Sequence, residues 1–158
     1  MIELLPVRRK ELEKLAPMIL AYWQELDEEG DGRGEARDVE DAKRLLYGAI
    51  SRGGGIFWIA DDDSDVGFVE YDVSQHWSRP EIKVGRIAEI YVDPQHRRAG
   101  AGRAAMERII EQMAADGVAY VTLATSIRNE NARRFWEALG FHEDRIEMKR
   151  TLLKESPA

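Results

Sequence analysis

The strongest constraint on the fold is the stretch 85–113, in which a strand pattern enters a helical pattern through a glycine-rich turn. The segment GRIAEIYV predicts a strand that Asp93-Pro94 ends. After the turn PQHRRAGAG, apolar residues recur at helical spacing, at Met106, Ile109, Ile110 and Met113. Glycines at a helix start let backbone N–H groups approach an anion. The stretch therefore predicts an α/β protein with an anion-binding turn.

The other elements follow from the periodicity of the apolar residues. Helices are predicted over 8–26, 39–52 and 132–139, and Pro17 predicts a kink or a break in the first. Strands are predicted at IELLPV, IFWIA, VGFVEYDV and VAYVTLA, and FHEDRIEMKRTLL can supply one or two closing strands. The order β-α-α-β-β-β-α-β-α-β indicates a mixed sheet with helices against it, in a single domain over 1–158.

Composition excludes several classes of function. Cysteine is absent, which rules out disulfides, thiolate zinc sites and an acyl-cysteine intermediate. The three histidines are dispersed, so no metal site is predicted. The net charge of −7 argues against a general nucleic-acid-binding surface. No apolar run reaches the ~20 residues of a membrane span, and the start of the chain has no signal-peptide pattern. A cytoplasmic protein without membrane partners is expected.

Three anion-binding motifs compete for the glycine-rich turn. A dinucleotide-binding turn accepts Ala105 at its third glycine position but needs a carboxylate ~20 residues later, where Tyr120 lies instead. A Walker A loop needs Lys-Ser or Lys-Thr after its last glycine, and Arg103-Ala104 follows Gly102. The remaining motif is a strand, an arginine-bearing turn and a helix start that hold a pyrophosphate. A solvated helix cap with arginines for solubility is its bland alternative.

Two motifs carry a family resemblance. VDPQHRRAGAGRAAM resembles the R/Q-x-x-G-x-G/A motif of the GNAT (GCN5-related N-acetyltransferase) superfamily, with Arg97, Gly100 and Gly102 at the motif positions. NENARRFWEALGF resembles a second signature of that family, matched by Asn129, Ala132, Gly140 and Phe141. The resemblance implies the GNAT fold: a mixed, mostly antiparallel sheet of about six or seven strands, flanked by about four helices, with the fourth and fifth strands splayed apart.

The resemblance also implies a site for acetyl-coenzyme A. The turn would hold the pyrophosphate, the fourth strand would line the pantetheine arm, and the last helix would contribute two side chains. The residues so assigned are Ile90, Tyr91, Val92, Arg97, Arg98, Ala99, Gly100, Ala101, Gly102, Arg103, Asn129 and Trp136. Asn129 can equally serve as the N-cap of the following helix.

Acetyl transfer to an amine needs a proton acceptor, because a free amine with a pKa near ~10 is mostly protonated at neutral pH. Glu89 is the candidate general base, with Glu70 and Asp72 in reserve. The alternative is that Glu89 faces solvent or pairs with an arginine. By resemblance, the backbone N–H of Val92 polarises the acyl carbonyl as an oxyanion donor.

The chain departs from the family at Trp136, where a tyrosine commonly protonates the leaving thiolate. An indole N–H can donate a hydrogen bond but is no useful acid. Tyr91, Tyr120 or water could take the role. A thiolate whose conjugate acid has a pKa near ~8.5 can also leave without an acid. No side-chain acid is therefore assigned.

The expected function is transfer of an acetyl group from acetyl-coenzyme A to a primary amine, in a ternary complex. A small cationic acceptor is favoured by residues 25–41, which hold nine acidic and two basic residues, although such a run can equally be a solvated loop. A protein or peptide acetyltransferase and a catalytically weak acyl-coenzyme A sensor are the alternatives. No nucleic-acid partner is expected, and a homodimer remains an open alternative.

Overall fold

The computed structural model describes residues 1–28, 38–51 and 55–153, and the side chains of residues 49–51 are not described. Most of the predicted acidic loop, residues 29–37, lies outside these ranges. The elements in chain order are β1 (Ile2–Pro6), α1 (Leu12–Glu28), α2 (Val39–Ser51), β2 (Ile56–Asp61), β3 (Ser64–His76), β4 (Arg79–Val92), α3 (Ala101–Ala115), β5 (Val118–Thr122) and α4 (Glu130–Ala138). Short 3₁₀ turns precede α1 and α3, at Arg9–Glu11 and Pro94–His96.

The strands form one sheet in the order β1-β2-β3-β4-β5. Neighbours are antiparallel except β4 and β5, which are parallel. The predicted mixed, mostly antiparallel α/β fold is thus confirmed, as is the order of elements up to α4. The prediction of closing strands after α4 is wrong for the described residues, because 141–153 form none. Among the described residues, the sheet consequently has five strands rather than six or seven.

The helices cover both faces of the sheet, since successive side chains of a strand point to opposite sides. One core lies under α1 and α2 and includes Leu15, Trp58 and Phe68. The other lies under α3 and α4 and includes Ile59, Met106, Ile109 and Trp136. The helical stripes predicted in α1 and α3 supply buried residues to these cores, and α1 continues as one helix through Pro17.

A bulge in β4 decides which of its side chains face which helices. Glu70 of β3 pairs with Glu89, but the next residue, Tyr71, pairs with Ile87, so that Ala88 is an extra residue. An inserted residue of this kind shifts the alternation of the strand that carries it. As a result Tyr91 packs into the core under α1, while Ile87 packs into the core under α3.

Pairing between β4 and β5 covers only part of β4. The parallel register runs from Lys83↔Val118 to Arg86↔Thr122, whereas β4 continues to Val92. Beyond Arg86 the two strands therefore separate, in agreement with the expected splay. The separation leaves the edge of residues 87–92 facing a cleft.

Candidate functional site

A cleft of about 670 Å³ opens where β4 and β5 separate. Its wall is built from the C-terminal part of α1, the end of β4, the glycine-rich turn and the start of α4. All the predicted site residues except Ala99 line it: Glu89, Ile90, Tyr91, Val92, Arg97, Arg98, Gly100, Ala101, Gly102, Arg103, Asn129 and Trp136. The structure thus gathers residues from both sequence motifs into one cavity.

The glycine-rich turn has the backbone shape that its sequence suggests. Gly100 is the N-cap of α3 with a φ of 84°, and Arg98 is also left-handed with a φ of 65°. A Cβ built on Gly100 would meet no atom within 4 Å, so that the space in front of this glycine is open. The first N–H groups of α3 have no partner within the helix, and they begin at this opening. The turn can accept an anion there, as the pyrophosphate motif requires.

The arginines of the turn differ in their partners. Arg97 donates from Nε to the carbonyl oxygen of Val92 at 2.8 Å and from Nη2 to Glu25 of α1 at 2.6 Å. The Glu25 carboxylate raises the pKa of the Arg97 guanidinium by accepting this hydrogen bond. Arg103 pairs with Glu107 one turn along α3, at 2.8 Å. Arg97 therefore contacts protein groups on two other elements.

Glu89 lies on the α1 side of the cleft, where Tyr22 donates a hydrogen bond from its hydroxyl to Glu89 Oε2. Tyr22 itself packs against the rings of Phe68 and Tyr91, at centroid distances of 5.7 and 5.6 Å. A hydrogen bond from a packed side chain holds a carboxylate in one orientation. Glu89 is thus an oriented and half-buried carboxylate, at a place where a base could act.

The two reserve carboxylates occupy different places. Glu70 is directly opposite Glu89 across the β3–β4 ladder, so that two like charges face each other. Like charges directly opposite each other are unfavourable in an antiparallel sheet. Asp72 is exposed farther along β3. Neither Glu70 nor Asp72 belongs to the cleft wall.

The backbone of Val92 presents its polar groups to the cleft. A Cβ on Gly67 of β3 would lie 2.2 Å from the carbonyl oxygen of Tyr91, so this carbonyl points toward β3. In a trans peptide the N–H points opposite to the C=O, and the N–H of Val92 therefore points to the β5 side. The next N–H, that of Asp93, donates back to Val66 of β3 at 2.8 Å, as strand alternation requires.

Asn129 and Trp136 connect α4 with the cleft. Asn129 caps α4 by accepting from the N–H of Ala132 at 2.9 Å, which confirms its capping role. Trp136 is 8% exposed and packs edge-on against Phe135 and Phe141. Trp136 therefore serves as packing, with one side on the cleft.

The two tyrosines that could protonate the leaving thiolate differ in position. Tyr91 lines the cleft, and burial raises the pKa of its hydroxyl. Tyr120 is 40% exposed on β5 and is not part of the cleft wall. Of the two, only Tyr91 lies at the site.

Sequence reasoning missed the contribution of α1 to the site. Tyr22, Trp23, Glu25 and Leu26 line the cleft. The sequence contains an indication of two of these residues. Tyr22 and Glu25 lie three residues apart and put polar groups at the edge of an otherwise apolar helical stripe. Their hydrogen-bond partners, Glu89 and Arg97, could not be identified from the sequence, because they lie 67 and 72 positions away.

Within the described ranges 1–28, 38–51 and 55–153, no group of three or more histidine, aspartate or glutamate side chains could hold a metal ion. No helix in the same ranges combines the length and the apolar character needed to cross a membrane.

Comparison with known proteins gives a consistent result. Residues 17–141 match the Acetyltransferase (GNAT) family. An uncharacterised N-acetyltransferase of Methanocaldococcus jannaschii is 33% identical over 92 residues, which are 58% of this chain and 41% of the relative. The ribosomal protein bS18-alanine N-acetyltransferase of Escherichia coli is 40% identical over 60 residues, which are 38% of this chain and 40% of the relative.

The matched segments span about two-fifths of the length of these two curated relatives. A solved structure, that of a possible acetyltransferase from Clostridium difficile, superposes over 98% of this chain and 99% of its own. Its TM-score is 0.77 and its identity is 19%, a likeness that concerns the fold.

Proposed function

The chain belongs to the GNAT acetyltransferase family, and on that premise we propose that it transfers an acetyl group from acetyl-coenzyme A to a primary amine. One observation carries the proposal. An oriented carboxylate, Glu89, and a backbone donor, Val92, lie three residues apart on the open edge of β4, beside an anion-binding turn. Acyl transfer to an amine needs these groups: a proton acceptor and a fixed donor for the charge that develops on the acyl oxygen.

The turn and the strand fit the cosubstrate. Open space in front of Gly100 and the start of α3 suits a pyrophosphate, and the polar edge of residues 90–92 suits the amides of a pantetheine arm. Arg98 and Arg103 add positive charge to the wall of the cleft. Acetyl-coenzyme A supplies the activated thioester, and the side chains of this protein supply binding, orientation and proton transfer.

Glu89 acts as the base in this proposal, directly or through one water molecule. It takes the proton from the acceptor ammonium, so that the neutral amine can attack the carbonyl carbon. The amine forms the new C–N bond, and the C–S bond breaks to release the thiolate of coenzyme A. The second proton that the nitrogen loses passes to water or to the departing thiolate. A side-chain acid is not required, because a thiolate is a tolerable leaving group near neutral pH.

We propose a small cationic amine as the acceptor. Glu89 lies on the α1 side of the cleft, where a carboxylate attracts a cation, whereas the charge of Glu25 is paired with Arg97. A second candidate acceptor is the terminal amine of a protein, because the relative from Escherichia coli is named for the alanine of a ribosomal protein. Both acceptors use the same base and the same backbone donor.

Two measurements test the proposal. Isothermal titration with acetyl-coenzyme A is expected to show binding at micromolar concentrations, and the absence of binding would refute the proposed function. Release of free thiol is then followed with a panel of acceptors: a polyamine, an aminoglycoside and a peptide with an N-terminal alanine. Binding without release on any acceptor would favour the sensor alternative.

The base is tested by exchanging each of the two facing carboxylates. We expect Glu89→Gln to lower kcat by about 10²–10⁴-fold, the usual contribution of a general base. Glu70→Gln is the matched variant, since Glu70 lies across the ladder but outside the cleft wall. The assignment fails if Glu89→Gln keeps full activity, or if Glu70→Gln causes the larger loss.

A further inference from the structure

The geometry points to Arg97 as a positioning residue for the backbone of Val92, rather than as a ligand of the pyrophosphate. The inference rests on the proposed function for its catalytic consequence. It departs from the motif-based expectation, which placed Arg97 among the residues that hold the cosubstrate. Its guanidinium contacts three protein groups, two on β4 and one on α1.

The three anchors use the guanidinium from different sides. Nε donates to the carbonyl oxygen of Val92 at 2.8 Å, and Nη2 donates to Glu25 at 2.6 Å. The Cζ atom lies 5.2 Å from the centre of the Tyr91 ring. The fork of an arginine is planar and rigid, so contacts at both edges and on one face fix its orientation. The side chains of Arg97 and Glu25 are 37% and 34% exposed, and the pair is therefore partly shielded from solvent.

The carbonyl that Arg97 holds belongs to the same residue as the proposed oxyanion donor. In an antiparallel strand, the N–H and C=O of one residue point to the same side. A bare carbonyl beside the donor would repel the negative charge that develops on the acyl oxygen. Arg97 offsets this dipole and adds a positive charge, and it holds the end of β4 where no ladder to β5 does so.

In this arrangement the arginines of the turn have different roles. Arg97 acts on Val92, and its loss should impair the chemical step more than cosubstrate binding. Arg98 lines the cleft from the left-handed part of the turn, and its loss should weaken cosubstrate binding. Loss of a pyrophosphate ligand should thus raise Kd, whereas loss of a positioning residue should lower kcat with little change in Kd.

The first test does not depend on catalysis. In ¹⁵N-labelled protein, Arg97→Gln is expected to shift the backbone amide resonance of Val92 and to change the Kd of acetyl-coenzyme A by less than about threefold. Arg98→Gln is expected to raise that Kd by about five- to tenfold, since it removes a charged donor. Arg44→Gln, an exchange on the exposed side of α2, is the control for charge alone. A tenfold rise in Kd for Arg97→Gln with an unmoved Val92 amide would overturn the inference.

The second test concerns turnover. We expect Arg97→Gln to lower kcat by about 10–100-fold, somewhat less than removal of a direct oxyanion donor. Added guanidinium should restore part of the activity and the Val92 resonance. Glu25→Gln combined with Arg97→Gln should cost no more than Arg97→Gln alone, because both act on one contact. If the wild type releases no thiol with any acceptor, the proposed function fails, while the amide shift and the Kd still decide the role of Arg97.

Discussion

Two left-handed residues, Arg98 and Gly100, shape the turn at the mouth of the cleft. Glycine adopts this conformation without cost, whereas a residue with a Cβ pays roughly 1–2 kcal/mol. Arg98 adopts this unfavourable conformation in the wall of the cleft. Strained backbone of this kind is concentrated at functional sites. The left-handed conformation of Arg98 is therefore imposed by the turn and is not favoured by the residue type.

Replacement of Gly100 separates the role of the turn from its stability. Gly100→Ala is expected to cost about 1–2 kcal/mol, or roughly 2–8 °C in Tm, and to weaken acetyl-coenzyme A binding at least tenfold. Gly117→Ala is the matched control, because Gly117 is also left-handed, with a φ of 77° and open space before its Cβ, but lies outside the cleft wall. Equal losses of affinity in the two variants, measured by titration calorimetry, would contradict the assignment of the turn.

Residues in local motifs could be identified from the sequence, and residues that act across the fold could not. The turn residues and Asn129 lie in short patterns whose spacing carries their chemistry. Tyr22 and Glu25 reach the site only because α1 packs over β4, a contact between segments about 70 positions apart. Pairwise contacts of this kind are set by tertiary packing, which periodicity does not encode.

At the scale of elements, the end of β4 is the part of the sheet that forms the candidate site. Periodicity predicted the strand, but not the bulge at Ala88 or the point where the β5 ladder ends. Both depend on register, which is set by neighbouring strands. The prediction of closing strands was wrong for a related reason. Ile146 and Met148 alternate as in a strand, yet both are about 90% exposed. Residues 141–153 join no described ladder. A pattern indicates a strand and supplies no partner for it.

Gly67 permits the close approach of β3 to this part of β4. A Cβ there would lie 2.2 Å from the backbone carbonyl of Tyr91, which cannot turn aside as a side chain can. We expect Gly67→Ala to cost about 3 kcal/mol and to lower kcat at least tenfold, because it displaces the strand that carries Val92.

Gly85→Ala is the comparison for Gly67→Ala within the same sheet. Its Cβ would meet the flexible end of Met113 at 2.6 Å, at the paired part of β4. The side chain of Met113 can move, so a smaller loss of Tm and near-normal turnover are expected. Thermal unfolding and thiol release measure both effects. A larger loss of activity for Gly85→Ala than for Gly67→Ala would contradict this account of the strand end.

At the scale of the whole molecule, the cleft lies where the two cores meet. Tyr91 belongs to the core under α1, and Trp136 belongs to the core under α3 and α4, yet both line the same cavity. Four arginines line this cavity in a protein whose net charge is −7, namely Arg86, Arg97, Arg98 and Arg103. Their positive charge favours an anionic cosubstrate in the cavity, while the Glu89 carboxylate on the α1 side favours a cation.

The sheet shared by the two cores predicts that they unfold together. Leu15 is fully buried under α1, and Met106 is fully buried under α3. Truncation of either residue to alanine leaves a cavity that costs about 2–5 kcal/mol, which lowers Tm by roughly 4–20 °C in a chain of this size. Leu45→Ala, at a position on α2 that is 42% exposed, should lower Tm by much less.

Differential scanning calorimetry and circular dichroism distinguish one cooperative unit from two. We expect a single transition in the wild type, because β2 and β3 each contribute residues to both cores. Leu15→Ala and Met106→Ala should each move that whole transition to lower temperature. If Leu15→Ala instead split it, so that one part kept the wild-type Tm, the two faces of the sheet would be independent units and the expected single domain would be wrong.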